Sequence, residues 1–346
     1  MKFKHKFWFQ VVSFIVLSIS LGGVGVLPAA AGDKITLTYA FFAPMRSFPG
    51  AQINHWVEEL DKRTDGMVEV KVFGGGTLLG ARNMFDGVLS GVADIGLSCP
   101  SYDPGRFPLT SGVSLPVNFP SSKIASLTYW DLMAELKPAE YSKYKVITMF
   151  TTEPGYIQSR LPVKSLQDLK GMKLRAAGTG VPILKALGAA PVGMPMPQVP
   201  ESIQTGVIDG TMTSREVLKD FKLAEMLKNV LDYPTVVVTF AAVMDKNKWN
   251  ALPDKVKQVM DELSREMAAW TGNFHDTTNV GAALAWSKEK YGLNVNSLAA
   301  GEKEKWDKLI SPMVDEWVKD MTGKGYDAKG FIDRLYAIRD KNIKEN

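Results

Sequence analysis

The sequence of 346 residues contains one cysteine and three histidines. With Cys99 alone, no disulfide can form within the chain, and the fold must rest on hydrophobic cores. There is no H-E-x-x-H, no cysteine pair, no G-x-S-x-G and no G-x-G-x-x-G after a strand pattern. The usual marks of zinc, serine-hydrolase and dinucleotide chemistry are therefore missing. Lysine and arginine form no run of the kind that grips nucleic acid. The triplet Gly74-Gly75-Gly76 lacks the Gly-Lys-Ser/Thr ending of a phosphate loop.

Long apolar runs are also scarce, with one exception at the start. Lys2, Lys4 and Lys6 precede an apolar stretch from Phe7 to Leu27, and Pro28-Ala29-Ala30-Ala31-Gly32 follows. This is the order of a secretory signal, with cleavage expected after Ala31 and residues 1–31 removed. An uncleaved anchor is the alternative, since the run approaches the roughly 20 residues that span a bilayer. Removal takes away three lysines and no acids, so the formal charge falls from +4 to +1. The remaining 315 residues (346 − 31) suit two domains of ordinary size.

Strand and helix patterns alternate through the first part. Lys34–Phe41 and Met67–Phe73 read as strands, and Ile53, Trp56, Val57 and Leu60 mark one face of the helix between them. A helix ending near Gly91 comes next. A second α/β rhythm begins near Tyr144–Phe150 and includes a strand over Met172–Arg175 and a helix ending at Gly188. The phrases "SGVADIG" (Ser90–Gly96) and "TGVIDG" (Thr205–Gly210) match across the two parts. In each, glycine suits a helix C-cap and Asp94 or Asp209 a turn. The last part is helical. Periodicity from Pro253 to about Tyr291 predicts a very long helix, with Gly272 and Gly281 as points where it breaks or bends. Helices over Glu302–Met321 and Ala328–Ile343 follow. The fold class is α/β with two similarly built lobes, and the missing linker implies a hinge of crossing segments.

Candidates for chemistry are few. Outside the leader only His55 and His275 remain, and His55 sits in an amphipathic helix. Asp94 and Asp209 read as turn residues rather than paired catalytic carboxylates. Cys99 reads as small apolar packing. Arg175 stands out because it closes a half-buried strand before the flexible "AAGTG". The carboxyl ends of strands are where open α/β sheets place ligands. A plain surface arginine is the other reading.

From "LDKRTDGMVEVKVFGGGTLLGARNMFDGVLSGVADIG" onward the chain resembles the dicarboxylate-binding type of solute-binding protein in tripartite ATP-independent periplasmic (TRAP) transporters. "LPVKSLQDLKGMKLR", "ALGAAPVGMPMPQVPESIQTGVIDG" and "KNKWNALPDKVKQVMDE" carry the same resemblance. It implies a periplasmic binding protein fold, with two α/β lobes, crossing hinge segments and a long bracing helix. Residues 32–153 with about 241–280 would form the first lobe. Residues 154–240 with about 281–346 would form the second, together with the C-terminal helices. It also implies capture of a small organic anion, a carboxylate or sulfonate, by a periplasmic monomer that needs no cofactor and no metal. Delivery would be to TRAP membrane permease subunits. Remaining alternatives are an ABC-type or sensor-linked receptor and a periplasmic organic-acid lyase or isomerase.

The family's carboxylate-pairing arginine matches Arg175, whose planar fork can give a carboxylate two parallel hydrogen bonds. The resemblance further places Phe42, Cys99, Tyr102, Tyr156, Met196 and Thr213 at the ligand. Cys99 stands where sugar-acid binders place an acidic residue, and Thr213 where asparagine is common. Gly155 stands where some members carry a second arginine. These departures point away from polyols and from dianions, toward an apolar pocket with one anionic head. The aromatics have core packing as their other reading. A dicarboxylate ligand would require a second cation such as Arg46, Arg106 or Arg215.

Overall fold

A computed structural model describes residues 34–346. The leader and its cleavage point lie outside the described residues. In chain order the strands are β1 (Ile35–Phe41), β2 (Val68–Phe73), β3 (Ile95–Ser98), β4 (Tyr144–Thr151), β5 (Tyr156–Ser159), β6 (Lys173–Ala176), β7 (Ala190–Gly193), β8 (Gly210–Thr213), β9 (Asn229–Leu231), β10 (Thr239–Asp245) and β11 (Asn294–Asn296). The first helices are α1 (Phe48–Arg63), α2 (Met84–Leu89) and α3 (Ser122–Leu136).

Two sheets result. The first runs β2-β1-β3-β10-β4 and the second β11-β9-β5-β8-β6-β7. In the first, β1 is parallel to β2 and β3, and β10 is antiparallel to β3 and β4. In the second, β6 is parallel to β7 and β8, while β5 is antiparallel to β8 and β9. The matching phrases do the same job in each. Gly91 and Gly206 both adopt φ +75°, a left-handed turn that costs glycine little. Oδ2 of Asp94 then accepts the Thr38 N–H of β1 at 2.7 Å, and Oδ2 of Asp209 accepts the Lys173 N–H of β6 at 2.8 Å. Each aspartate fastens the turn before a short strand to the strand beside it.

The chain passes from the first sheet to the second through 152–155 and returns through 232–238. These segments lie side by side. Thr152 N–H donates to Val238 O at 3.0 Å, Gly155 N–H to Val236 O at 2.8 Å, and Thr235 N–H to Gly155 O at 2.9 Å. The lobes are thus joined by a short two-stranded strap rather than a free linker.

A helix over Asp254–Phe274 packs on α1, α3 and β4, and its continuation Val280–Tyr291 packs on the short helix Val217–Asp220 of the second lobe. Neither Gly272 nor Gly281 breaks it. The irregularity lies between them, as a π-helical turn over His275–Asn279. Gly272 is a contact point instead, because a Cβ there would lie 2.5 Å from Lys123 Cα. That closeness brings Asp276 to the start of α3, where its carboxylate accepts the Ser122 and Lys123 N–H groups, both at 2.9 Å. Such free amides at a helix start need acceptors. The helix expected over Glu302–Met321 is two, Glu302–Ile310 and Met313–Gly323, divided at Pro312. The final helix, Ala328–Glu345, does not join the second lobe. It packs on α3, with Phe331, Ile332, Leu335 and Ile338 in one core with Ala125, Tyr129, Leu132 and Met133.

Candidate ligand-binding cleft

The carboxyl ends of β1, β3, β6 and β8 point toward the junction of the lobes. Arg175, third residue of β6, is 1% exposed. Its Nε donates to Met194 O at 2.8 Å and its Nη2 to Tyr102 Oη at 3.3 Å. No carboxylate pairs with it among the described residues. A guanidinium held this deep without a counter-ion is costly, and an arriving carboxylate would relieve that cost.

Tyr102 comes from the turn Pro100–Tyr102 after β3, so it reaches from the first lobe into the second. Besides meeting Arg175, its hydroxyl accepts the Met196 N–H at 3.2 Å. Phe42, just past β1, meets Tyr102 edge-on at 5.5 Å and lies parallel to Phe240 at 6.3 Å. Phe42, Tyr102, Arg175, Met196 and Thr213 all line one cavity with Phe48, Ser214, Glu216, Asp220 and Phe240. With the side chains as they stand the cavity volume is about 30 Å³, far below the roughly 300–1,000 Å³ of small-molecule sites. A second groove along the same junction also touches Tyr102 but not Arg175, and its cations, Arg82 and Lys324, are exposed.

Two candidates stand elsewhere. Cys99 is fully buried behind the wall, its carbonyl accepting the Tyr102 N–H at 2.9 Å. Burial pushes its thiol up to about 12, against the opposing effects of the Tyr102 hydroxyl and the Arg175 charge. It is a neutral packing group. Tyr156 does not line the cavity. Its ring is covered by the Arg215 guanidinium, 3.9 Å from the ring centre. β5 runs antiparallel to β8 with Tyr156 opposite Thr213, so the two side chains share a sheet face, but only Thr213 lines the cavity.

Two of the three alternative cations are paired with carboxylates, and the third, Arg46, is exposed. Arg215 forks onto Glu153 at 3.0 and 2.7 Å. Arg106 meets Asp86 and Asp103. Nε of Arg46 donates to Asp220 O at 3.1 Å. None of them lines the cavity with Arg175.

An acidic group on the same wall escaped sequence reasoning. Glu216 and Asp220 flank the short helix after β8 and are 3% and 4% exposed. Ser214 Oγ donates to Glu216 Oε1 at 2.8 Å, and Phe48 N–H donates to Asp220 Oδ2 at 3.2 Å. His275, in the π turn, lies between Ser122 Oγ at 3.2 Å and Glu216 Oε2 at 3.3 Å. Burial and the charge of Glu216 push Asp220 up to about 7. Burial alone would lower His275, but Glu216 chiefly outweighs it and the imidazole is raised. The available signal was spacing, since residues four apart after a strand's carboxyl end share a helix face. Among the described residues no group of three His, Cys, Asp or Glu side chains is arranged to hold a metal. No helix among them is long and apolar enough to cross a membrane.

Two α/β lobes on a paired strap, closing over a buried cation, define a periplasmic-type binding protein. The model of the family described as bacterial extracellular solute-binding protein, family 7 (DctP), matches residues 40–320, and the chain belongs to that family. A TRAP periplasmic solute binding protein from Desulfovibrio salexigens is 42% identical. The match covers 89% of this chain and 96% of that one, with a TM-score of 0.78. That structure is an open complex with the C-terminus of a symmetry mate in its ligand-binding site. A marine metagenome TRAP solute binding protein specific for aromatic acid ligands, crystallised with 3-hydroxybenzoate, is 28% identical. Coverage is 89% and 99%, with a TM-score of 0.83. The 2,3-diketo-L-gulonate-binding periplasmic protein YiaO of Escherichia coli is 29% identical over 297 residues, 83% of this chain and 80% of its own. The chain is thus a solute receptor of the TRAP kind.

Proposed function

We propose that this receptor captures a small organic monoacid between its lobes, with Arg175 as the carboxylate anchor, and presents it to a TRAP permease. Export through a leader over residues 1–31, action as a monomer in the periplasm and absence of catalysis belong to the same reading. The carrying observation is the buried guanidinium that has no carboxylate of its own. Phe42, Tyr102, Met196 and Thr213 would form the walls, and the strap 152–155 and 232–238 the hinge. The Desulfovibrio protein, although more identical, superposes less well than the metagenome protein with its bound acid. That order fits a closed arrangement here. A receptor rather than an enzyme is supported by Cys99, whose thiol is neutral and set back from the cavity. His275 is engaged between Ser122 and Glu216.

Monoanions should outrank dicarboxylates, because Arg106 and Arg215 are paired with carboxylates, Arg46 is exposed and outside the cavity, and the wall after β8 is acidic. A thermal-shift panel with lactate, 2-oxo acids, aromatic acids and a sulfonate beside succinate and malate tests this, since a ligand raises the melting temperature by binding the folded state. A response to succinate or malate alone would contradict it.

A further inference from the structure

Two spaces meet at the junction of the lobes, and Tyr102 divides them. It alone lines both the cavity at Arg175 and the longer groove beside it. The chain crosses the same boundary at three other places. Arg175 faces the cavity and Ala176 the groove, Met196 the cavity and Pro195 the groove, and Val238 the cavity and Thr239 the groove. The sizes differ. The cavity of about 30 Å³ has room for about two waters, which excludes even a short-chain acid. The groove holds about 450 Å³, within the roughly 300–1,000 Å³ of small-molecule sites. Phe107, Val181, Pro182, Met194 and Pro195 give it an apolar lining.

The Tyr102 hydroxyl oxygen accepts from Arg175 Nη2 at 3.3 Å and from the Met196 N–H at 3.2 Å. A guanidinium and an amide converging on one oxygen suit a carboxylate. The phenol meets them poorly. Both bonds are longer than the roughly 2.7–2.9 Å of a charged pair. Burial pushes the phenol further up, so it stays neutral and leaves the guanidinium charge unbalanced. We propose that the Tyr102 hydroxyl stands in the place of one oxygen of the ligand's carboxylate, so that binding displaces it, opens the cavity into the groove and lays an apolar ligand body there. The inference rests on the reading that Arg175 holds a carboxylate. The ligand class that follows is an acid with an extended apolar part, such as an arylalkanoate. Without ligand the same hydroxyl lets the receptor close on itself, because Tyr102 comes from the first lobe and Arg175 and Met196 from the second. An empty closed form competes with the ligand and lowers its apparent affinity.

Calorimetry on the mature chain with acetate, butanoate, phenylacetate and 3-phenylpropanoate tests this, beside Tyr102→Phe and Arg175→Met. A phenyl acid should bind the unaltered chain about tenfold or more tighter than acetate. Tyr102→Phe keeps the ring and removes only the oxygen, so it should bind the same acid about three- to tenfold tighter than the unaltered chain does. Without ligand it should also show a larger radius in small-angle scattering, and with ligand the same radius. If Tyr102→Phe fails to fold, the ranking of the acids on the unaltered chain still decides. Equal or weaker binding by Tyr102→Phe, or acetate as tight as the phenyl acids, overturns the inference, while loss of the acids by Arg175→Met keeps the anchor standing. Undiminished binding by Arg175→Met overturns both. No binding by any of the four acids overturns the inference, and the thermal-shift panel then decides the anchor alone.

Discussion

Arg175 and Lys173 occupy the same strand two residues apart, so their side chains leave β6 on the same face. They differ in depth. Lys173 is exposed at the amino end of β6, and Arg175 is buried at the junction of the lobes. Lysine at position 175 would keep the charge but lose the planar fork. Truncating one side of a buried charged pair costs about 2–5 kcal/mol, so Arg175→Lys and Arg175→Met should both weaken acid binding by roughly 30-fold or more. Lys173→Met should leave affinity nearly unchanged, and calorimetry on the three variants compares them. Asp220 makes a separate prediction. Its carboxyl titrates near 7 in the fold against an ordinary value of 3.8. Between those values the folded chain holds a proton that the unfolded chain has lost, so stability falls as pH rises from about 4 to 7. The loss is at most about 4 kcal/mol. Asp220→Asn, which can still accept from Phe48, should raise the melting temperature at pH 8 and change it little at pH 4. Melting curves that shift equally at both values would contradict the assignment.

The elements show what the sequence makes legible. "GVADIG" and "GVIDG" announce two equivalent turns because glycine and aspartate there meet local backbone needs that repeat in each lobe. Arg175 is legible because strand alternation and the following small residues place it at a ligand-bearing edge. The final helix is different. Its apolar stripe requires a partner but says nothing of which, and α3 supplies it from the first lobe. Tyr156 illustrates the same limit, since the resemblance gives its place in the chain but not the Arg215 that covers its ring. Glu216 and Asp220 escape because acids near a proposed anion site look like solvated surface until burial is known. The two glycines of the long helix look alike in sequence and differ in space. A Cβ at Gly272 would strike the backbone of Ser122 and Lys123, whereas one at Gly281 meets nothing within 4 Å. Gly272→Val should destabilise the protein by about 1–3 kcal/mol. Gly281→Ala should stabilise it by up to about 1 kcal/mol. Urea unfolding of both variants measures the contrast.

At the scale of the whole molecule, the lobes are joined by the strap, by the long helix and by a few contacts inside the cleft. Tyr102 reaches Arg175 and the Met196 amide, and the start of α1 reaches Asp220. Each cleft contact is a single hydrogen bond, and such bonds contribute about 0.5–1.5 kcal/mol net, or about 1.5–3 kcal/mol where one partner is charged, as at Arg175. Closure is therefore weak enough to be governed by a ligand that bridges the lobes, as hinge-closing receptors require. The most direct measurement is mass spectrometry of what freshly purified protein releases on denaturation, compared between the unaltered chain and Arg175→Met. A small carboxylic or sulfonic acid carrying one anionic head, present with the unaltered chain and missing from the variant, is the expected result. A neutral or cationic compound, or the same acid released in equal amount by both, would contradict the account.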